Sequence, residues 1–412
     1  MKHPLTSSGF VVALLVAGCE TRTPPTTTPQ APVAPVANVL SERPAPLEAA
    51  DERRAILELR QALANARLHD DVALFRALDE QSKAALDRHP RSPQILHVRA
   101  AALLALGRAK DALPIAQTLY NADAKDLVAA GLYSDALSAT GDLAGAVVAV
   151  ERMMDIAPGL PAYARAAQLR AATGDVDGSL AMWREAFEAG HQGAPEGLAF
   201  CATSTADLLF FGKGERKGAQ ASYDVALHAV PGYPAALTGR ARLHLAQGHA
   251  PEALIDLDAI APGAQSAESV ALRAAVLTSL GRPPKDEGLR DELLSLADRG
   301  PRETALALAT LKLDLPRARE LALQSQRDAG GRDDDDVTGF VLWRAGDVAA
   351  AVPLSKRALG GVDARVLARA GLVLAAANDA GGRGLLERAL KTSPAFDPIL
   401  APEAVAALAA LP

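Results

Sequence analysis

Glycines stand at positions 107, 141, 174, 214, 248 and 281, and all but one of the intervals between them are 33 or 34 residues. Gly and Ala are common in this chain, so one such coincidence would mean little. Four such intervals among six glycines require an internal repeat. The stretch Leu127–Pro158, LVAAGLYSDALSATGDLAGAVVAVERMMDIAP, shows what is repeated. It reads as two short amphipathic helices joined by a turn at Gly141-Asp142, with Pro158 stopping the second. Small residues, Ala130, Ser134 and Ala146, stand where two helices must cross closely, and Leu137 fills the space between them. A lone hairpin of this size cannot bury its apolar faces. Stacked on copies of itself it can, so the chain is expected to be an all-α solenoid stabilised by nearest-neighbour contacts.

Composition agrees. Hydrophobic residues make up 49% of the 412 residues but aromatics only 4%, so the apolar content is mostly Ala, Leu and Val. That favours close-packed helices over β-sandwiches. The net charge of -6 argues against a nucleic-acid partner, since phosphate binding needs a basic surface.

Counting Leu127 as position 1 of a unit places Ser134 at 8, Gly141 at 15, Ala146 at 20 and Pro158 at 32. This resembles the tetratricopeptide repeat, whose 34-residue pattern has small residues at 8 and 20, Gly near 15, Ala at 27 and Pro at 32. Met153 stands at 27, a departure that a flexible side chain absorbs. The phase defines units at 93–126, 127–159, 160–193, 200–233, 234–266 and 267–300, and again at 332–362 and 363–396. Residues 284–299 read as a longer second helix, 301–313 and 315–328 as a degenerate pair, and 47–66 with 71–88 as a pair before the first clear unit. The wide interval between Gly174 and Gly214 is assigned to an extended loop, GHQGAPEG at 190–197. Residues 47–412 thus hold about nine or ten hairpins, and the resemblance implies a right-handed superhelix with first helices lining its concave face.

The N-terminus is of a different kind. Residues 1–18, MKHPLTSSGFVVALLVAG, join a basic start at Lys2 to an apolar run from Phe10 to Ala17, too short to span a bilayer. Val16-Ala17-Gly18-Cys19 resembles the lipobox of bacterial lipoproteins. The resemblance implies cleavage before Cys19, lipidation of its thiol and membrane attachment, with the outer membrane facing the periplasm favoured over the inner membrane. Residues 19–46 form a Pro/Thr-rich tether. In polyproline II conformation, at ~3.1 Å per residue, it would reach on the order of 80 Å.

No sequence motif points to catalysis, and the expectation is a protein that is not an enzyme and takes no cofactor or metal. The histidines are scattered without HExxH or paired-Cys spacing, and no GxSxG is present. Gly212–Gly218, GKGERKG, lacks the spacing of a phosphate loop and follows a helix. Asp333–Asp336 lacks the alternation of an EF-hand and reads as a loop and helix N-terminus, its acidic groups facing free N–H groups and the dipole. Cys201 is expected to pack inside a helix pair.

In the tetratricopeptide family ligands usually lie along the concave face. Carried over by position, the resemblance implies a groove bearing His97, Asp135, Gln168, Leu208, Phe211, Arg242, Phe340, Trp343 and Arg344, with Ser138 and Ser204 among its other members. These side chains are small, apolar or weakly polar, with few charges, so an extended or helical peptide with apolar anchors is expected rather than a clamped carboxylate. Phe211, Trp343 and Arg242 are the preferred anchors. The terminal segment 402–411, PEAVAALAAL, has almost no polar face, so it either docks back on the solenoid or offers a surface for a partner or for self-association. The expected role is a protein-interaction scaffold or assembly factor of the cell envelope. The alternatives are a non-catalytic subunit of an envelope polysaccharide or peptidoglycan enzyme and a glycan-binding module, which the low aromatic content disfavours.

Overall fold

The computed structural model describes residues 47–69, 72–191 and 193–411; the signal segment, Cys19 and the Pro/Thr-rich tether lie outside them. Among the described residues there is no strand, and the chain is a right-handed superhelical solenoid of antiparallel helix pairs. The pairs are α1 (Leu47–His69) with α2 (Val72–Arg88), α3 (Pro93–Ala105) with α4 (Ala109–Ala122), α5 (Leu127–Thr140) with α6 (Leu143–Ile156), and α7 (Leu160–Ala172) with α8 (Val176–Gly190). Next come α9 (Pro195–Asp207) with α10 (Arg216–Ala229), α11 (Pro234–Ala246) with α12 (Ala250–Asp258), and α13 (Ala267–Ser279) with α14 (Asp286–Ser295). The series ends with α15 (Pro301–Leu311) and α16 (Leu315–Asp328), α17 (Arg332–Arg344) and α18 (Val348–Ala358), α19 (Ala364–Ala376) and α20 (Gly381–Thr392), and a single helix α21 (Leu400–Ala410).

The turn inside a unit is built as its dipeptide suggests. Gly141 adopts φ +96 and closes α5 through bonds from its turn to Leu137 and Ser138 carbonyls. Asp142 then caps α6, its carboxylate accepting from Gly145 N–H at 2.9 Å. Gly174-Asp175 repeats the device, Asp175 accepting from Gly178 N–H at 2.9 Å. Such a cap contributes about 1 kcal/mol. In the eighth and tenth units Lys312 and Asn378 carry the positive φ that glycine carries elsewhere, which is why the Gly phase fades there. The pair α15–α16 is nevertheless a full unit.

Close crossing of the two helices needs the small residues. Ala130 and Ala146 are fully buried, and Ser134 Oγ donates to the Ala146 carbonyl at 3.3 Å. Met153 takes the place of the usual alanine because Gly131 leaves room opposite; a Cβ on Gly131 would stand 3.4 Å from Met153 Cε. Three sequence expectations need correction. The loop between α8 and α9 is short, and the surplus residues lie in the first helix, which continues from α9 through a π-helical segment, Leu208–Lys213. The unit therefore starts at Pro195 rather than 200. The second helix expected over 284–299 is the short α14, delayed by Pro283-Pro284. The acidic run 333–336 opens α17, but Gly331 is its N-cap and offers no side-chain cap. Asp334, Asp335 and Asp336 are instead buried and bind neighbouring side chains: Ser325, Arg357 and Arg369 respectively.

The solenoid is wound tightly enough to touch itself. Lys110, at the start of α4, donates to the Gln326 and Arg327 carbonyls at the end of α16, both at 3.0 Å. Arg332 donates to the Ala172 carbonyl at 2.8 Å. The turns inside the third, fourth and fifth units meet the loops that follow the eighth, ninth and tenth. Glycines permit that approach: a Cβ on Gly331 would lie 2.2 Å from the Ala139 carbonyl oxygen, and one on Gly214 would lie 2.2 Å from that of Thr392. The terminal helix docks back on the spiral. Leu400, Ala401 and Ala404 are buried, and Glu403 binds Lys312 at 2.8 Å and also pairs with Arg344.

Candidate functional site

Because successive turns meet, the concave face forms a partly open cavity of about 1680 Å³. First helices α1, α5, α7 and α9 supply one wall. The starts of α15, α17 and α19 and the end of α16 face it from the later turn. Nine arginines and eleven acidic side chains line the cavity, so the weakly charged groove inferred from helix positions is not what forms. Those positions score only first helices of one turn. The opposing turn brings its helix starts, with Arg302, Glu303, Arg332, Asp333, Asp363 and Arg365.

Four of the nine groove residues inferred from sequence line this cavity together: Asp135, Gln168, Leu208 and Phe211. Asp135 is buried in a two-pronged pair with Arg165, whose Nε and Nη2 donate at 2.7 and 2.6 Å. Phe211 is only 2% exposed, and the Arg365 guanidinium covers its ring at 3.6 Å from the centroid. It is thus a wall of the cavity already occupied by a cation rather than a free anchor. Gln168 and Leu208 keep partial exposure, as do Ser138 and Ser204. The side chains of Ser138, Gln168 and Ser204 have no hydrogen-bond partner among the described residues.

The other five do not line it. His97 sits 2.8 Å from Asp126 at the N-terminus of α5. Arg242 is buried against Glu268 at 2.6 Å, between α11 and α13. Phe340 is fully buried and presents no surface. Trp343 packs on it, and Arg344 lies over the Trp343 ring at 4.4 Å while pairing with Glu403. This cluster holds α21 in place. The positional rule fails here because the terminal helix occupies the face that a ligand would need.

Charged groups outside the inferred set stand in the cavity wall, as Asp207 does, or behind it, as Glu268 does. Asp207 lies at the α9–π junction and accepts from Tyr223 Oη at 2.5 Å. Burial pushes its carboxyl up to about 6, against the opposing pull of Arg365 and the Tyr223 hydroxyl. Glu268 is held below the usual carboxylate range, since Arg242 and Arg365 outweigh its burial. The signal available in the sequence was charge on first-helix positions beside small residues, as at Arg165 and Asp207. Cys201 is fully buried between helices, and burial pushes its thiol up to about 12, far from a reactive thiolate. Lys213, in the GKGERKG stretch, pairs with Asp177 at 3.1 Å and Glu215 at 3.3 Å beside the Gly214 turn.

No protein-family model matches the sequence, and no curated protein matches it. Some solved structures are similar to it. A tetratricopeptide repeat protein from Parabacteroides merdae is 12% identical, with a TM-score of 0.43, over 66% of this chain and 99% of its own. The human IFIT1 dimer with PPP-AAAA is 13% identical, with a TM-score of 0.47, over 74% of this chain and 72% of its own. PilW, a type IV pilus biogenesis factor, is 14% identical, with a TM-score of 0.38, over 50% of this chain and 93% of its own. The all-helical solenoid is read from the helix pairs of this chain itself, and its structural neighbours include a tetratricopeptide repeat protein.

Proposed function

We propose that this protein is a lipid-anchored scaffold of the bacterial cell envelope that holds a segment of a protein partner in the cavity formed by its spiral. The cavity carries the reading. At about 1680 Å³ it exceeds the roughly 300–1,000 Å³ of small-molecule pockets. Its wall alternates unpaired polar side chains, Ser138, Gln168 and Ser204, with apolar surface at Leu208, Ala171 and Val362. An extended or helical peptide needs that combination: apolar contact for affinity and hydrogen-bonding groups for register.

Site-specific photocrosslinking tests it. A photoreactive side chain placed at Gln168 or Ser204 is expected to capture one discrete envelope protein. The same group at Val225 or Ile255, exposed second-helix positions 45% and 68% accessible, is expected to capture none. Equal capture from both sets, or none from the cavity, ends the reading. The anchor rests on the Val16-Ala17-Gly18-Cys19 sequence and is tested separately. Cys19→Ala should move the protein from the membrane fraction to the soluble one, and retention of the variant in membranes would refute the lipid anchor.

A further inference from the structure

Arg67, near the end of α1, lines the cavity and stands apart from its other arginines. Arg165 is held by Asp135, Arg302 by Glu303 at 2.9 Å and Arg365 by Asp363 at 2.7 Å, while Arg332 donates to a carbonyl at 2.8 Å. Arg67 has no ion pair or hydrogen bond among the described residues, and its Nε is buried without an acceptor. The carboxylate beside it, Asp135, already binds Arg165 through both oxygens at 2.7 and 2.6 Å. Arg67 makes no hydrogen bond to that carboxylate.

Arg67 is partly buried, and its Nε is a buried donor without an acceptor, the kind of group that marks a place where something else belongs. The surroundings say what. Ser138 lies one turn along α5 from Asp135, and Gln168 one turn along α7 from Arg165; both face the cavity with side chains unbonded. A planar guanidinium fork that no carboxylate binds, a hydroxyl and an amide offer donors, a set that suits an oxyanion. Burial and the adjacent Arg165 charge push the Arg67 pKa down against the pull of Asp135.

We propose that Arg67, with Ser138 and Gln168, forms an oxyanion-binding site within the cavity, where a carboxylate or phosphate group of the ligand docks. This rests on the reading of the cavity as the binding surface. It adds to that reading the charge of the ligand at one fixed point, and it replaces the purely apolar anchoring that the sequence suggested.

Calorimetric titration of the whole mature chain with inorganic phosphate, and separately with N-acetylglycine, tests the site against matched sodium chloride. At least one of the two is expected to bind with one-to-one saturation, and the arm that responds identifies phosphate or carboxylate. Arg67→Gln should weaken that binding by at least ~10-fold, as expected for loss of a charge-assisted fork. Without anion it should be no less stable than the parent, because Arg67 makes no hydrogen bond or ion pair to lose. Ser138→Ala provides a milder variant and should weaken binding by a few-fold. Absence of binding in both arms, or binding unchanged by Arg67→Gln and Ser138→Ala, overturns the site. If cavity crosslinking to a partner persists without an oxyanion response, this inference alone falls. If the oxyanion binds at Arg67 but no partner crosslinks, the site stands and the partner reading falls.

Discussion

Replacing Arg369 by Met is expected to destabilise the second half of the spiral by about 3–5 kcal/mol, the range for stranding one member of a buried ion pair. Arg369 on α19 and Asp336 on α17 are both buried, and Arg369 Nε lies 3.1 and 3.0 Å from the two carboxylate oxygens. Burial already raises the Asp336 pKa despite the opposing arginine. Without that arginine the carboxylate has no compensating charge, and the folded state holds it protonated further up the pH scale. The sign follows: a folded pKa above the unfolded value favours folding at low pH. The deficit should therefore shrink as pH falls toward the unfolded carboxylate range near ~4. Asp336→Leu combined with Arg369→Met should recover most of the loss, since desolvation of the pair nearly cancels its attraction.

Urea unfolding followed by the fluorescence of Trp343, on the same helix as Asp336, gives the measurement. The pair Asp335–Arg357 supplies the contrast, because Arg357 is 56% exposed and solvent screens it. Arg357→Met should cost on the order of 1 kcal/mol or less. If Arg369→Met costs no more than Arg357→Met, then water reaches Asp336 and the α17–α19 interface is looser than its burial implies.

Both pairs grow from the acidic run at 333–336, and that run shows where sequence reasoning stops. Helix N-termini attract carboxylates, so the local reading placed these groups at the start of a helix, and α17 does begin there. Their partners, Arg357 on α18 and Arg369 on α19, stand on helices that the local rule does not consider. Repeat phase was legible for the opposite reason. A turn at positive φ and a close helix crossing are requirements of the unit itself, so they leave Gly141, Ser134 and Ala146 in fixed places.

The fifth unit marks a second limit. A loop insertion and a lengthened helix change the Gly174–Gly214 interval equally, and spacing alone cannot tell them apart. The π-helical segment Leu208–Lys213 absorbs the surplus and carries buried Phe210 and Phe211 into the core. The candidate site was partly legible: Asp135, Gln168, Leu208 and Phe211 share a cavity because each lies on the inner face of a first helix. Its closure was not. The facing wall arrives from a turn of the spiral far along the chain, through contacts such as Lys110 with Gln326, and no repeat position encodes them.

That closure can be measured with three glycines that separate backbone strain from contact. Gly248 has φ +83 and open space around it, so Gly248→Ala reports the strain of a left-handed residue, about 1 kcal/mol. Gly331 has an ordinary φ of -82, yet its Cβ would come within 2.2 Å of the Ala139 carbonyl oxygen on the neighbouring turn. Gly331→Ala therefore reports the contact alone. Gly214 combines both, with φ +67 and 2.2 Å to the Thr392 carbonyl oxygen. Backbone cannot yield as a side chain does, so the contact should add roughly 1–3 kcal/mol, as overpacking does. The expected order of destabilisation is Gly214→Ala, then Gly331→Ala, then Gly248→Ala. Small-angle scattering should show expansion for the first two and none for the third. A spiral that opens at the seam also loses the wall bearing Arg302 and Arg365, so cavity crosslinking from Gln168 should fall with Gly331→Ala while Gly248→Ala leaves it intact. Equal stability losses without expansion would mean that the turns do not touch in solution and that the concave face is an open groove.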